Sequence, residues 1–261
     1  MGWVESLDGV RLAAEVVGNG DPVTVLAHGL TGSRQDFAIF APFLPGTKVV
    51  FDFRGHGDSG RPGPGSYSMD HFAGDVNAVA RAFDATAVAG ASLGGGATLR
   101  LLCSQPDRFQ RLVFLLPARL ERSSAARVGL LRLADALQHH SVEEAADIVV
   151  TAEEREGAFD GFPSALDTRR EAILHMNGDG IPHAIRESID DPPVRDPEPI
   201  TRVPAPSLVI GQYGDPVHTA DVAKELAAAL PHSELVLFED RFAMLREIPA
   251  LVQRVGSFLS G

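Results

Sequence analysis

The sequence is poor in cysteine and in positive charge, and each shortage excludes a class of protein. Cys103 is the only cysteine among 261 residues, which excludes an internal disulfide and a multi-cysteine metal site. Lys and Arg number 23 against 35 Asp and Glu, so the formal net charge is −12. Because this charge repels phosphate groups, we expect no nucleic-acid partner and no binding to an anionic membrane surface.

Long apolar segments are also missing. No apolar run approaches the ~20 residues that span a bilayer, and no basic segment followed by an apolar stretch begins the chain. We therefore expect no membrane association, and we predict a cytoplasmic protein. The nine histidines show no HExxH or similar spacing, so we predict no metal site. We also predict no cofactor. The sequence does not indicate an oligomeric state.

What the chain does contain is an alternation of short apolar runs with helical patterns. The runs occupy residues 22–27, 47–53, 85–89, 111–116, 207–210 and 235–238. Strands that alternate with helices and are apolar throughout indicate a parallel sheet covered on both faces, which is an α/β fold. An Asp8-Gly9 turn predicts an added N-terminal hairpin over residues 3–17. No G-x-G-x-x-G follows the first parallel strand, which argues against a dinucleotide-binding fold.

The alternation stops between residues 120 and 200, where the pattern is that of amphipathic helices and polar turns. We therefore predict one α/β core formed by residues 1–119 and 201–261, with a helical cap inserted over residues 120–200. Such a cap should lie over the carboxyl edge of the sheet and close a pocket for a small-molecule substrate or ligand.

A serine flanked by glycines gives the strongest chemical signal. Gly90-Ala91-Ser92-Leu93-Gly94 lies between a predicted strand and a predicted helix. A serine on such a sharp turn stands above the sheet edge, with the N-terminus of the following helix directed at the site. The same letters would also fit a glycine-rich turn with a surface serine. The strand–turn–helix context favours a nucleophile.

Two further motifs and an acid follow strands in the order expected of one known family. They are His28-Gly29-Leu30-Thr31-Gly32-Ser33, Asp52-Phe53-Arg54-Gly55-His56-Gly57-Asp58-Ser59 and Asp215 in Gly211-Gln212-Tyr213-Gly214-Asp215-Pro216. With the serine turn, they make the chain similar to the α/β-hydrolase superfamily over nearly its whole length, as an esterase- or lactonase-like member. The first motif resembles the oxyanion-hole loop of that family, and the second resembles its D-x-R-G-H-G-x-S loop.

The resemblance implies a role for each matching residue. Ser92 would be the nucleophile, and the backbone N–H groups of Leu30 and Leu93 would form the oxyanion hole. Asp215 would orient a histidine that takes the serine proton. The other interpretation of Asp215 is a turn residue before Pro216.

The chain departs from the family at the catalytic histidine. That residue usually follows the last strand, in a pattern H-x-x-x-x-E-x-P. Glu247 and Pro249 fit the end of the pattern, which puts Phe242 where the histidine belongs. No histidine lies beyond His232, and phenylalanine cannot accept a proton. We therefore predict that the usual triad is incomplete.

His218 is the candidate for a relocated base. It lies three residues after Asp215, at the carboxyl end of the same predicted strand, where the site should be. The alternative is a helix-entry residue that faces solvent. His28 and His56 lie in family loops where histidine is usually structural.

Two classes of function remain open from the sequence. The first is serine-dependent hydrolysis of an ester, thioester or lactone of a small, mostly apolar molecule. The second is a catalytically reduced homologue that binds a small ligand or assists a non-hydrolytic step such as cyclisation or elimination. Ser92 and Asp215 favour the first, whereas Phe242 favours the second.

Overall fold

A single sheet of eight strands organises the described residues of this computed structural model, which are 2–38, 40–117, 124–160, 163–176, 179–196 and 198–261. The strands are β1 Gly2–Glu5, β2 Arg11–Gly18, β3 Val23–Ala27, β4 Thr47–Phe51, β5 Ala87–Ala91, β6 Arg111–Leu115, β7 Ser207–Gln212 and β8 Ser233–Phe238. Their order is β1-β2-β4-β3-β5-β6-β7-β8. Strand β2 pairs antiparallel with both β1 and β4, and the other pairs of neighbouring strands are parallel. The predicted α/β class is confirmed.

Helices lie on both faces of this sheet. They are α1 Gln35–Ala38, α2 Met69–Ala82, α3 Leu93–Ser104, α4 Ser124–His139, α5 Val142–Arg155, α6 Ala165–Leu174, α7 Ile181–Ser188, α8 Ala220–Ala229, α9 Ala243–Arg246 and α10 Ile248–Ser260. Short 3-10 helices occupy Ala41–Phe43 and Glu198–Arg202. Alternate strand residues enter two apolar clusters, with Val25 in one and Leu26 in the other, because successive side chains point to opposite faces.

The spacing of Phe37, Phe40 and Phe43 predicts one helix over residues 34–44, but the structure interrupts it. Helix α1 ends at Ala38, and Ala41–Phe43 form a separate 3-10 helix with a proline in its first turn. Pro42 has no N–H to donate, and its ring clashes with the preceding turn of an α-helix, which explains the break.

Between β6 and β7, the described residues form helices α4 to α7 and the second 3-10 helix, and no strand. The end of this segment is tied to the core: the Glu187 carboxylate accepts hydrogen bonds from Gly65 N at 2.8 Å and Tyr67 N at 2.9 Å. Residues 119 and 120, where the predicted core and cap meet, lie outside the described residues. The division into core and cap stays a prediction.

The order of the strands in the sheet creates a switch point at β3. β3 is flanked by β4 on one side and by β5 on the other, so the connections after β3 and β4 diverge. In open α/β sheets, the crevice at the carboxyl ends of such strands is where ligands bind. No helix in the described part of the chain is long and apolar enough to cross a membrane.

Candidate active site

Ser92 lies on a strained turn between β5 and α3. Its φ is +46°, a region that costs a residue with a side chain about 1–3 kcal/mol. Two glycines make the turn possible. A Cβ at Gly94 would lie 2.1 Å from Ala27 O, and one at Gly90 would lie 2.5 Å from Gly94 C. Ser92 N donates to Leu115 O at 3.0 Å, which anchors the turn to β6.

The loop after β3 passes directly beside this serine. A Cβ placed on Gly29 would lie 3.7 Å from Ser92 Cβ. Leu30 and Leu93 are both buried. Leu93 opens helix α3, and the first N–H groups of a helix have no acceptor within it. The oxyanion-hole role of Leu30 and Leu93 stays a prediction.

Hydrogen bonds of His28 and His56 fix the loop that follows β3. His28 Nε2 accepts from Phe53 N at 3.0 Å, so Nδ1 carries the proton and donates to Gly29 O at 2.7 Å. Complete burial and the neighbouring His56 keep the pKa of His28 well below its usual value, so the ring is neutral. Because Gly29 C=O and Leu30 N–H belong to one planar peptide, this contact also fixes the direction of the Leu30 N–H. His56 Nε2 lies 2.7 Å from Leu30 O.

The loop that follows β7, residues 213–218, carries both an acid and a histidine; we call it the acid–histidine loop. His218 Nε2 lies 2.9 Å from Ser92 Oγ, and His218 Nδ1 lies 3.4 Å from Asp215 Oδ2. The first distance is that of a hydrogen bond, and the second is slightly beyond the usual range. The structure thus brings Ser92, His218 and Asp215 together. Their catalytic roles stay predictions.

The loop closes through the backbone contacts of the acid. Asp215 Oδ1 accepts from Val217 N at 2.7 Å and from His218 N at 2.9 Å. A carboxylate that accepts from the next residues along the chain forms a tight Asx-type turn. This turn brings an imidazole only three residues away to the same carboxyl group, which the spacing alone did not make evident.

The environment of Asp215 favours its charged form. Burial raises the pKa of this carboxyl, but the imidazole and backbone N–H of His218 and a hydrogen bond from Gln212 oppose burial more strongly. The net effect holds the pKa of Asp215 well below its usual range. The carboxylate is therefore ionised at neutral pH and can support an imidazolium.

Gln212 is a site residue that the sequence analysis missed. It ends β7, is 5% exposed, and donates from Nε2 to Asp215 Oδ2 at 3.1 Å. The signal that could have found it is a polar residue at the end of a wholly buried apolar strand, three positions before the acid.

The loop that follows β8, residues 239–242, lies beside the acid–histidine loop; we call it the post-β8 loop. A Cβ on Gly214 would lie 3.7 Å from Arg241 N. Phe242 is half-buried at the start of α9, and the Arg241 guanidinium carbon lies 4.7 Å from its ring centroid. Asp240 Oδ1 accepts from Phe242 N at 2.9 Å. That Phe242 takes the place of the family's histidine stays a prediction.

Two other polar residues considered in the sequence analysis lie outside the group formed by Ser92, His218 and Asp215. His232 is exposed before β8, at the edge of the sheet opposite Ser92. Arg54 of the second motif pairs with the buried Asp75, with its Nη2 2.7 Å from Asp75 Oδ1. Within the described part of the chain, no group of three or more His, Cys, Asp or Glu side chains could hold a metal ion. The absence of metal and cofactor stays a prediction.

The chain is similar to known proteins in both sequence and structure. The family model for the alpha/beta hydrolase fold matches residues 22–244. No curated protein matches the sequence. Among solved structures, a hydrolase from Pseudomonas aeruginosa PA01 is 24% identical with a TM-score of 0.80, over 100% of this chain and 98% of that chain.

Two further solved structures are similar over their full lengths. An esterase from Exiguobacterium antarcticum is 17% identical with a TM-score of 0.81, and an enol-lactonase from Burkholderia xenovorans LB400 is 22% identical with a TM-score of 0.79. Each comparison covers 100% of both chains. At these identities the neighbours show the fold alone. The family match, which covers most of the chain, shows that this protein belongs to the alpha/beta hydrolase fold family.

Proposed function

We propose that the chain is a serine hydrolase that cleaves an ester, thioester or lactone of a small, mostly apolar molecule. The observation that carries this proposal is the 2.9 Å contact between His218 Nε2 and Ser92 Oγ. A serine hydroxyl is a poor nucleophile at neutral pH unless a neighbouring base accepts its proton. The names of two structural neighbours, an esterase and an enol-lactonase, agree with this reaction class.

The proposed reaction has two halves. Ser92 Oγ attacks the carbonyl carbon while its proton moves to His218 Nε2, and the Leu30 and Leu93 N–H groups bind the oxygen that becomes negative. The tetrahedral species collapses, and the leaving oxygen or sulfur takes the proton from His218. A water molecule then attacks the acyl group on Ser92, again with His218 as base. The acid is released, and Ser92 regains its proton.

Asp215 supports the base in this scheme. Its ionised carboxylate faces His218 Nδ1 and stabilises the imidazolium that forms during each half-reaction. The 3.4 Å separation is longer than a good hydrogen bond. This support therefore requires the imidazole to move closer to Asp215 as it becomes charged.

A second candidate function follows from that same separation and from Phe242. If the imidazole receives too little support from Asp215, the site would bind a small ligand or assist a non-hydrolytic step such as cyclisation or elimination. This alternative predicts ligand binding without an acyl-enzyme.

The test is a set of p-nitrophenyl esters, thioesters and aryl lactones of increasing acyl length. We expect hydrolysis, and we expect mass spectrometry of quenched samples to find the acyl group on the peptide that contains Ser92. Ser92→Ala should lower kcat by more than about 10³-fold. Ser260→Ala, at an exposed serine of α10, should not change kcat. Hydrolysis that persists in Ser92→Ala, or its complete absence in the wild-type protein, would overturn the proposal.

A further inference from the structure

The side chain of Gln212 contacts the acid–histidine loop but plays no part in the reaction scheme above. It lies at the carboxyl end of β7 and is 5% exposed. Its Nε2 donates to Asp215 Oδ2 at 3.1 Å. That oxygen is also the one that faces His218 Nδ1. Gln212 and His218 therefore share one acceptor atom of the proposed catalytic acid.

The two oxygens of Asp215 have separate partners. Oδ1 accepts from the backbone N–H groups of Val217 and His218, which close the loop. Oδ2 faces the Gln212 amide and the His218 ring. The backbone contacts fix only Oδ1. Oδ2 faces the imidazole only when the carboxylate is turned in one particular direction. The Gln212 amide is the neutral donor that fixes Oδ2 in that orientation.

The carbonyl end of the Gln212 amide indicates that the useful part of this side chain is its N–H donor. Gln212 Oε1 is buried and has no hydrogen-bond partner among the described residues. A buried acceptor without a partner is destabilising. Turning the amide over would not remove the problem, because Oε1 would then face the Asp215 carboxylate oxygen and two acceptors repel. An apolar side chain of similar size would fill the position without an unpaired oxygen.

We infer that Gln212 is a positioning residue that holds Asp215 Oδ2 toward His218 Nδ1 and thereby sets how strongly the acid supports the proposed base. This inference rests on the proposed function for the roles of Asp215 and His218. It adds that the unpaired Gln212 Oε1 lowers the stability of the fold, and that this loss accompanies the orientation of Asp215 by the same side chain.

The electrostatic surroundings of the pair include groups on neighbouring elements. The backbone of Arg241 in the post-β8 loop lies against Gly214. The Lys224 ammonium of α8 lies 5.3 Å from the centroid of the Tyr213 ring. Substitutions of Gln212 leave both cations in place, so a change in pH dependence reports on the contact with Asp215.

The experiment compares Gln212→Met, which removes the donor and the unpaired acceptor, with Gln212→Glu, which places a second carboxylate beside Asp215. Gln253→Met, at an exposed glutamine of α10, is the matched control. The measurements are kcat and KM for one hydrolysed ester as a function of pH, the thermal unfolding midpoint, and the NMR titration of the His218 imidazole. The His218 resonance is assigned by its loss in His218→Ala.

We expect Gln212→Met to unfold at the same temperature as the wild-type protein or higher, with kcat lowered about tenfold and KM unchanged. Tenfold corresponds to about 1.4 kcal/mol in the barrier. The His218 imidazole should titrate at a lower pH in Gln212→Met than in the wild-type protein, because a carboxylate that can turn away supports the imidazolium less. In Gln212→Glu it should titrate at a higher pH, because a second carboxylate lies nearby. The control should match the wild-type protein in every measurement.

Two results would overturn the inference. One is a Gln212→Met variant with the wild-type kcat and the wild-type titration of His218. The other is a loss of activity that only parallels a loss of stability. The NMR titration needs no turnover, so a wild-type protein that hydrolyses nothing would contradict the proposed function and still leave the role of Gln212 measurable.

Discussion

The acid–histidine loop and the post-β8 loop are built in the same way and differ in what their aspartates face. Asp215 accepts from the N–H two residues later, at 2.7 Å, and Asp240 does the same at 2.9 Å. The side chain of Asp215 is 13% exposed and its second oxygen faces an imidazole. The side chain of Asp240 is 48% exposed and its second oxygen pairs with Arg246 at 2.5 Å.

The same local turn can bring a histidine to a serine or only close a loop, depending on burial and on the residue that follows. In the first loop, the turn delivers His218 to Ser92. In the second, it leads into helix α9 through Phe242, the N-cap residue, whose side chain cannot accept a proton. The family usually supplies its base from the position after the last strand. We propose that this chain supplies it from the loop of the acid.

The largest expected difference between the loops is the effect of removing one carboxylate charge. We expect Asp215→Asn to lower kcat by about 10³–10⁴-fold, because the variant can present an amide N–H to the imidazole and favour the wrong tautomer. The retained amide oxygen can still accept from Val217 N and His218 N. Asp240→Asn is the matched control and should change kcat little, as judged by steady-state hydrolysis. Equal losses in the two variants would show that both loops act only through the fold.

A smaller difference concerns acid stability. The pKa of Asp215 is lowered in the folded state, so its stabilising contribution is complete above its ordinary pKa and declines as the pH falls toward the folded-state value. Between pH 6 and pH 3, the wild-type protein should lose about 1 kcal/mol more unfolding free energy than Asp215→Asn. Urea unfolding at several pH values measures this difference. The exposed Asp240 should contribute less, since solvent screens its pair with Arg246.

The smallest effect is expected for a histidine placed in the second loop. Because His218 already contacts Ser92, Phe242→His should change kcat less than about threefold, well below the ~10²–10⁴-fold that a general base contributes. Initial rates of ester hydrolysis at pH 7 provide the measurement. A large increase would mean that the protein lacks an effective base and that His218 does not fill that role.

The sequence predicts the fold well because its signals are local. Apolar strand runs, the glycines at 90 and 94 and the Asp8-Gly9 turn each specify local geometry without reference to distant residues. The break of the helix after Ala38 had a local cause as well, Pro42, which the spacing of Phe37, Phe40 and Phe43 masked.

The details of the site depend on contacts between distant segments, and the sequence predicts these less well. The positions of Asp215 and His218 in the chain predict that both residues lie near Ser92. The hydrogen bonds that close the loop depend on the orientation of the Asp215 carboxylate, which the sequence does not specify. Gln212 has no motif, and its importance emerges only from its burial and its contact with Asp215 Oδ2. The same holds for Asp75, which is fully buried against Arg54 and carries no spacing signal.

The most direct test of the relocated base is the rate at which a fluorophosphonate labels Ser92, because labelling needs an activated serine and no natural substrate. The second-order rate constant is measured for the wild-type protein, His218→Ala and the exposed-histidine control His232→Ala. If His218 activates Ser92, His218→Ala should label about 10²–10⁴-fold more slowly, and His232→Ala should label at the wild-type rate. Labelling of Ser92 in His218→Ala at the wild-type rate would contradict the account.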